Sequence, residues 1–494
     1  MASFKFAALN NPIGRTANGA ATFVSSGNPL VDLFSAIGSS RGKDITALFD
    51  AAYATDRKLA LKILLWARDI RGGAGERQTY RNLMLHLEKV APYEAALLIP
   101  HMAFFGRWDD LLIFQTSELR HLAFVHIGAG LSDPSTAGLV AKWMPRTGKV
   151  KLALVEHFGI SERSYRKMIV SLSNTVEQKM CAKEWDSINF SHVPSLAASR
   201  YQKAFNRRAK DAYAAYKASL VKKDGSAKIN AAAVYPYDVI KSLNSGDRTV
   251  AVAQWDALPN YLGDDNILPM VDVSGSMTSR LTTNLSCLDV AVSLGLYVAD
   301  KQEGAFKDMC LTFSTHPKIE VLTGDIAAKH SKMTRMHWEM GTNIEGAFDE
   351  ILRVAKSNKV PQNEMPKILL ILSDMEFNQC VTDSSMTNYQ SAQKKFEAAG
   401  YDLPRVVFWN LNARAGNSPV TSKENGTALV SGFSPAIMKS VLKASVKAED
   451  NAQFTPEATM LETLSDPRYD VVQDIDEEQM VIVTKTKTGE TETA

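Results

Sequence analysis

The sequence predicts a chain in two parts: a helical-repeat solenoid or ring, then a doubly wound α/β domain with a mostly parallel sheet. Three observations predict it. Apolar residues recur at helical spacing from about Pro29 to Tyr216, in segments near the usual helix length of about 8 to 20 residues with short turns between them. After Asn260 the period changes, and short β-rich runs alternate with helical patterns. Charge divides along the same seam: residues 1–260 hold 34 Lys and Arg against 22 Asp and Glu, a net +12, and residues 261–494 hold 22 against 32, a net −10.

Element by element, residues 1–28 are polar, rich in Gly, Asn and Ser and aperiodic, so they read as an extended arm. The helical module spans 29–260. Asp44 to Ala67 carries Ile45, Leu48, Phe49, Ala52, Leu59, Ile63 and Trp66 at helix-compatible spacings before Gly72, Gly73 and Gly75 break it. Helical patterns follow at Tyr80–Val90, Tyr93–Phe104, Trp108–Phe114, Ala137–Met144, Val150–Phe158, Ser161–Lys179 and Ser195–Ala218. Antiparallel pairs stacked as an irregular solenoid fit these lengths, although no fixed repeat period is visible. In the α/β domain, 261–450, strands are expected at Ile267–Val273, Met309–Ser314, Ile319–Leu322, Lys367–Ser373, Arg405–Asn410 and Thr427–Val430. Helices are expected at Cys287–Lys301, Asn343–Lys356, Tyr389–Ala399 and Pro435–Ala444. Residues 451–494 form a C-terminal segment with a strand-like run at Met480–Val483 and an acidic tail.

Composition excludes several classes. With 45% hydrophobic and 22% charged residues the chain reads as globular, and its 494 residues allow two to four domains at about 150 residues each. It contains no uninterrupted apolar run of about 18 residues and no charged n-region followed by an apolar h-region, so neither a membrane helix nor a secretory signal is expected. Cys181, Cys287, Cys310 and Cys380 lie far apart without a CxxC pair, which argues against a disulfide framework or zinc site and for a reducing, cytoplasmic setting. There is no GxSxG elbow, HExxH pair or Cys/His couple, so no nucleophile supports an enzyme.

The strongest chemical signal is Met270-Val271-Asp272-Val273-Ser274-Gly275-Ser276-Met277, a strand that breaks into small polar residues where it ends. Ligands of open α/β sheets collect at the carboxyl ends of strands. Asp-x-Ser-x-Ser places one carboxylate and two hydroxyls on a tight loop, the oxygen chemistry that Mg²⁺ prefers. Thr342, ahead of a helix, and Asp374, at the end of the next strand, offer two more oxygens. The simpler reading is that the DxSxS loop only caps the following helix.

Asp272, Ser274, Ser276, Thr342 and Asp374 resemble, in order and context, the metal-ion-dependent adhesion site of von Willebrand factor A domains. The resemblance implies that Ser274, Ser276 and Thr342 touch a Mg²⁺ (or Mn²⁺) directly and that Asp272 and Asp374 act largely through water. It leaves one position open for an acidic oxygen of a partner. The helical part adds its own likeness. Arg68-Asp69-Ile70-Arg71-Gly72-Gly73-Ala74-Gly75-Glu76-Arg77 and Gly106-Arg107-Trp108-Asp109-Asp110-Leu111 resemble motifs of the Ro autoantigen (TROVE-module) superfamily, above all its phage, fungal and plant relatives with a domain of unknown function. That resemblance implies HEAT-like repeats closed by a von Willebrand A-like domain and binding to misfolded or small noncoding RNA.

A basic face is consistent with RNA. From Arg200 to Lys228, nine Lys and Arg face two Asp. Arg200, Lys203, Arg207 and Lys210 fall at i, i+3, i+7 and i+10, with Arg208 adjacent and Tyr201, Phe205, Tyr213 and Tyr216 interleaved. Cations would meet phosphates and unpaired bases would stack on the aromatics, which favours single strands over duplex. The alternative is a solvated charged face with its aromatics turned into the core. Arg68, Arg71, Arg77 and Arg81 form a second basic group, read as internal ion pairs with Asp69 at a helix turn. His337, beside Trp338, reads as a packing residue near the metal loop. Two functions follow: a noncatalytic Ro-like RNA-binding protein with a divalent-metal site, or an assembly component, of phage type, that grips an acidic side chain of a protein partner through the metal.

Overall fold

The computed structural model describes residues 13–222, 227–231, 234–245, 247–263, 265–313, 315–336, 343–378, 387–414, 416–449 and 453–472. The chain is mixed α/β, with a helical N-terminal region and a six-stranded, mostly parallel sheet in the C-terminal half.

In the helical region each helix packs on its successor from Pro29–Ile37 to Ser117–Ser132 and Ala137–Trp143. Three expected helices are broken, each for a local reason. Asp56 is extended and its carboxylate caps Leu59 N at 2.9 Å, so Asp44–Ala67 becomes Thr46–Thr55 and Arg57–Arg68. Thr175 and Gln178 form a capping box that splits Ser161–Lys179 into Glu162–Leu172 and Val176–Ala182. Tyr201 and Ala209 leave helical geometry and divide Ser195–Ala218 into Ser195–Arg200, Gln202–Arg208 and Lys210–Lys222. Helix Ser117–Ser132 was not among the expected ones, and it buries Leu119, Phe124, Ile127 and Leu131.

In the α/β half, β3 (Ile267–Asp272), β6 (Met309–Phe313), β7 (Ile319–Val321), β8 (Ile368–Ser373), β9 (Arg405–Asn410) and β10 (Thr427–Ser431) form one sheet in the order 10-9-8-3-6-7, while β4 (Arg280–Thr282) and β5 (Leu285–Ser286) pair in a separate hairpin. Only the β6–β7 pair is antiparallel. Every residue of β3 and β8 is buried, as expected for parallel strands covered on both faces. The chain leaves β3 for β6 on one side and returns to β8 on the other, so the winding reverses at β3. The carboxyl ends of β3 and β8 flank that reversal. Helix Cys287–Lys301 lies directly on β3, where a Cβ on Gly295 would stand 2.3 Å from Val271 Cγ2.

Residues 13–28 do not form a loose arm. Strands β1 (Ile13–Arg15) and β2 (Ala21–Phe23) make a hairpin that docks on the α/β half, through a bridge from Phe23 to Ser418 and a Thr16 hydroxyl donated to Phe377 O at 2.6 Å. The physical reason is pairing of backbone groups that an isolated arm would leave to water. At the other end, helix Pro456–Leu464 and the turn at Pro467–Val472 return to the helical region, where Arg468 and Tyr469 bind Asp69 at 2.7 and 3.1 Å. One apolar core runs through both halves, and a satellite core gathers around Ile188, Phe190, Phe205 and Tyr213. The expectations for residues 1–12, Thr342, His337, Trp338, Cys380, Met480–Val483 and the acidic tail from 473 on concern positions outside the described residues.

Candidate metal centre

Asp272 is the last residue of β3 and is fully buried. Its Oδ1 accepts from Ser274 N at 2.9 Å and its Oδ2 from the Ser373 hydroxyl at 2.5 Å. The second bond crosses from β8, so the neighbouring strand fixes the carboxylate. The chain then turns through the short helical turn Gly275–Thr278. That turn brings Ser276 Oγ to 3.0 Å from Ser274 Oγ and 3.2 Å from Asp374 Oδ1. Asp374 directly follows β8, and Met375 adopts φ 65°, a left-handed conformation that costs a non-glycine residue about 1 kcal/mol or more. The Met375 amide donates to Ser373 Oγ at 3.0 Å, which holds the turn and aims Asp374 at the serines.

Four residues from two segments therefore converge: Asp272, Ser274 and Ser276 share the loop after β3, and Asp374 joins them from the end of β8, 98 positions beyond Ser276. Burial pushes the Asp272 carboxyl up to about 6, and the charge of Asp374 adds to the rise while hydrogen bonds from Ser373 and Ser274 oppose it. Asp374 is also raised by burial, against the pull of Arg414. A cation between them would favour both ionised forms.

The donor set fits a hard cation. Octahedral Mg²⁺ with oxygens at about 2.0–2.1 Å has neighbouring oxygens about 2.9–3.0 Å apart. The Ser274–Ser276 and Ser276–Asp374 separations of 3.0 and 3.2 Å lie close to that edge. Among the described residues no three His, Cys, Asp or Glu side chains converge on one point, so a metal here would rest on hydroxyls as well as carboxylates.

Sequence reasoning missed the surrounding residues. Arg414, beyond the end of β9, donates to Asp374 Oδ2 at 3.2 Å and stands 3.5 Å from Glu376. Asn417 Nδ2 donates to Glu376 Oε1 at 3.1 Å, and the docked hairpin supplies Ala17 N to Glu376 Oε2 at 2.5 Å. Lys43, from the helical half, reaches Asn412 Oδ1 at 2.6 Å and also Ala413 O. Burial, then the like charge of Arg414, lowers its pKa. The strand-end rule that found Asp272 and Asp374 would also have flagged the segment after β9. Nothing local to Lys43 gives a signal.

The basic face differs from its expectation. Arg200, Lys203, Arg207, Arg208 and Lys210 are all exposed, but they sit on three successive short helices rather than one helical face. Phe205 is buried in the satellite core and is withdrawn from base stacking, because its ring packs against Phe190 and Tyr213. Tyr201 is half-buried and donates its hydroxyl to Glu177 at 3.1 Å.

Comparison with known sequences divides the chain at the same seam. Residues 266–487 match a domain of unknown function, DUF7788. Residues 16–114 and 156–266 match a second domain of unknown function, DUF2828. Two family matches thus cover the two halves. An uncharacterized protein of Acanthamoeba polyphaga mimivirus is 29% identical over 515 residues, spanning 91% of this chain and 86% of the relative. The candidate metal centre lies in the DUF7788-matching half, with Lys43 and the hairpin reaching it from the other end of the chain. The stretch between the two DUF2828 pieces holds helices Ser117–Ser132 and Ala137–Trp143.

Proposed function

We propose that this is a noncatalytic, Ro-like binding protein whose α/β half, of von Willebrand A type, uses Mg²⁺ or Mn²⁺ to grip an anionic group, and whose helical half binds single-stranded RNA. The observation that carries the reading is the convergence of Asp272, Ser274, Ser276 and Asp374 at the end of β3 and β8. A strand order that reverses at β3, with one antiparallel edge strand, supports the same assignment. Ser274, Ser276 and the carboxylates Asp272 and Asp374 would hold the ion, with Thr342 expected to join them. The ion would supply a Lewis-acidic position for a ligand oxygen.

Titration calorimetry with Mg²⁺ and Mn²⁺ tests the site. Asp374→Asn and Ser276→Ala are each expected to weaken binding by about 10- to 100-fold while circular dichroism stays unchanged. Undiminished affinity in both variants would remove the metal from the reading. The RNA part is tested by salt-titrated binding of single-stranded and duplex RNA. A combined Arg200→Ala, Arg207→Ala, Arg208→Ala variant is expected to bind the single strand more weakly and with a shallower salt slope. Absence of binding by the parent at low salt would overturn it.

The burial of Phe205 favours a second reading, in which the molecule is an assembly component and the metal takes a carboxylate from a protein partner. That reading needs the five exposed cations only as a solvated face.

A further inference from the structure

The two basic motifs of the helical half, separate in sequence, meet in one cluster. Ile70 N donates to Phe105 O at 3.0 Å and ties their loops together. Asp110, fully buried, receives Arg68 at 2.8 Å and Arg81 at 2.6 Å. Asp109 receives Arg107 at 2.6 Å and Arg81 at 3.0 Å. Gly106 makes the approach possible: a Cβ there would stand 2.2 Å from Asp110 Oδ2 and 2.6 Å from Arg68 Nε. The expected pairing of this group with Asp69 is therefore replaced, since Asp69 is taken by Arg468 and Tyr469.

Charges in the cluster do not balance. Arg77, one helical turn before Arg81 at the start of helix Gln78–Val90, is exposed and makes no ion pair among the described residues. Three guanidinium groups thus share two carboxylates, and the fourth, Arg77, has none. Burial, then the like charges of Arg107 and Arg81, lowers the Arg77 pKa, as expected where cations crowd. Arg107 lies 3.9 Å over the Trp143 ring, and Lys142 Nζ is 5.4 Å from the same ring. Tyr80, buried beneath the network, has a hydroxyl with no hydrogen-bond partner among the described residues. Because Arg77 is exposed, its charge needs no internal acid and its donors stay open to solvent. Here the excess is placed at the solvent side, on planar forks suited to oxyanions.

We propose that Arg77, Arg81 and Arg107, braced from below by Asp109, Asp110 and Arg68, form a binding site for a phosphate group. It uses no residue of the metal centre and stands without it. The same chemistry is offered by a strand phosphate and by a free phosphate or phosphate monoester.

Calorimetry on the full chain at fixed ionic strength, with inorganic phosphate as one probe and a short single-stranded oligouridylate as the other, tests the proposal. Arg77→Gln is expected to weaken phosphate binding by about tenfold, Arg77→Lys to restore part of it, and Mg²⁺ affinity to stay at the parent value in both. If oligouridylate binding falls in parallel and phosphate competes with it, the ligand is a strand; if only phosphate binding falls, it is a small phosphate compound. Either outcome supports the site. The proposal is overturned if the parent binds neither probe at low salt, or if Arg77→Gln and the double variant with Arg107→Gln bind both as tightly as the parent. A parent that binds phosphate but no Mg²⁺ would sink the metal reading alone.

Discussion

Single residues carry opposite costs in this chain. Arg68 and Asp110 are both buried and joined at 2.8 Å, so removing one partner strands a charge without water. Arg68→Ala is expected to lower stability by about 3–5 kcal/mol in denaturant unfolding, with Arg81 the one other cation on Asp110 among the described residues. Asp238 shows the converse. Burial pushes its carboxyl up to about 6, above the ordinary value near 4. Folding therefore takes up a proton between those values, and the stability this brings is present in full below about pH 4 and lost as pH rises through 6. Asp238→Asn is expected to raise stability at pH 7 by about 1–3 kcal/mol and to leave it unchanged near pH 4, measured by thermal melts across that range. The metal-loop residues were legible because Asp272, Ser274 and Ser276 are local to one strand end, and Asp374 ends a second run of buried residues. Arg414 and Glu376 lie within reach of the same strand-end rule but were not singled out, whereas Lys43 was not legible, because its part depends on which segments the fold brings together.

At the scale of elements, the six strands of the main sheet were read to within a residue or two, β3, β8 and β9 being continuous apolar runs bounded by polar turns, while the short hairpins Ile13–Phe23 and Arg280–Ser286 were not read. Helices were read worse. Spacing alone carries through a cap, so Asp56, Thr175 and the break at Ala209 were hidden inside periodic segments. That matters for function: a basic stripe assumed to be one rigid helix is three short ones. Helix Cys287–Lys301 and β3 offer a direct test of how an element positions the site. With 2.3 Å between a Cβ on Gly295 and Val271 Cγ2, Gly295→Ala must push the helix from the strand. The expected cost is about 1–3 kcal/mol, with weaker Mg²⁺ binding because Asp272 lies one residue beyond Val271. Unchanged melting temperature and metal affinity would show that the helix yields without moving β3.

For the whole molecule, the two halves are of opposite net charge yet share one core, and the first and last described segments each pack on the other half. Arg468–Asp69 and Lys62–Asp470 close one end, and the hairpin of β1 and β2 closes the other. Calorimetric unfolding is accordingly expected to show one main transition; two well-separated peaks would mean the halves fold apart. Composition announced the seam between the halves through its change of period and charge, but could not announce this interlock, since contacts between residues hundreds of positions apart leave no local pattern.

The hairpin also sets a timetable for biosynthesis. Thr16 and its acceptor on Phe377 are 361 positions apart. At about 5–20 residues per second, a ribosome delivers the second roughly 20–70 seconds after the first. For that interval the leading segment has no surface to dock on, and the last wall around Glu376 goes up only when the final third of the polypeptide has emerged.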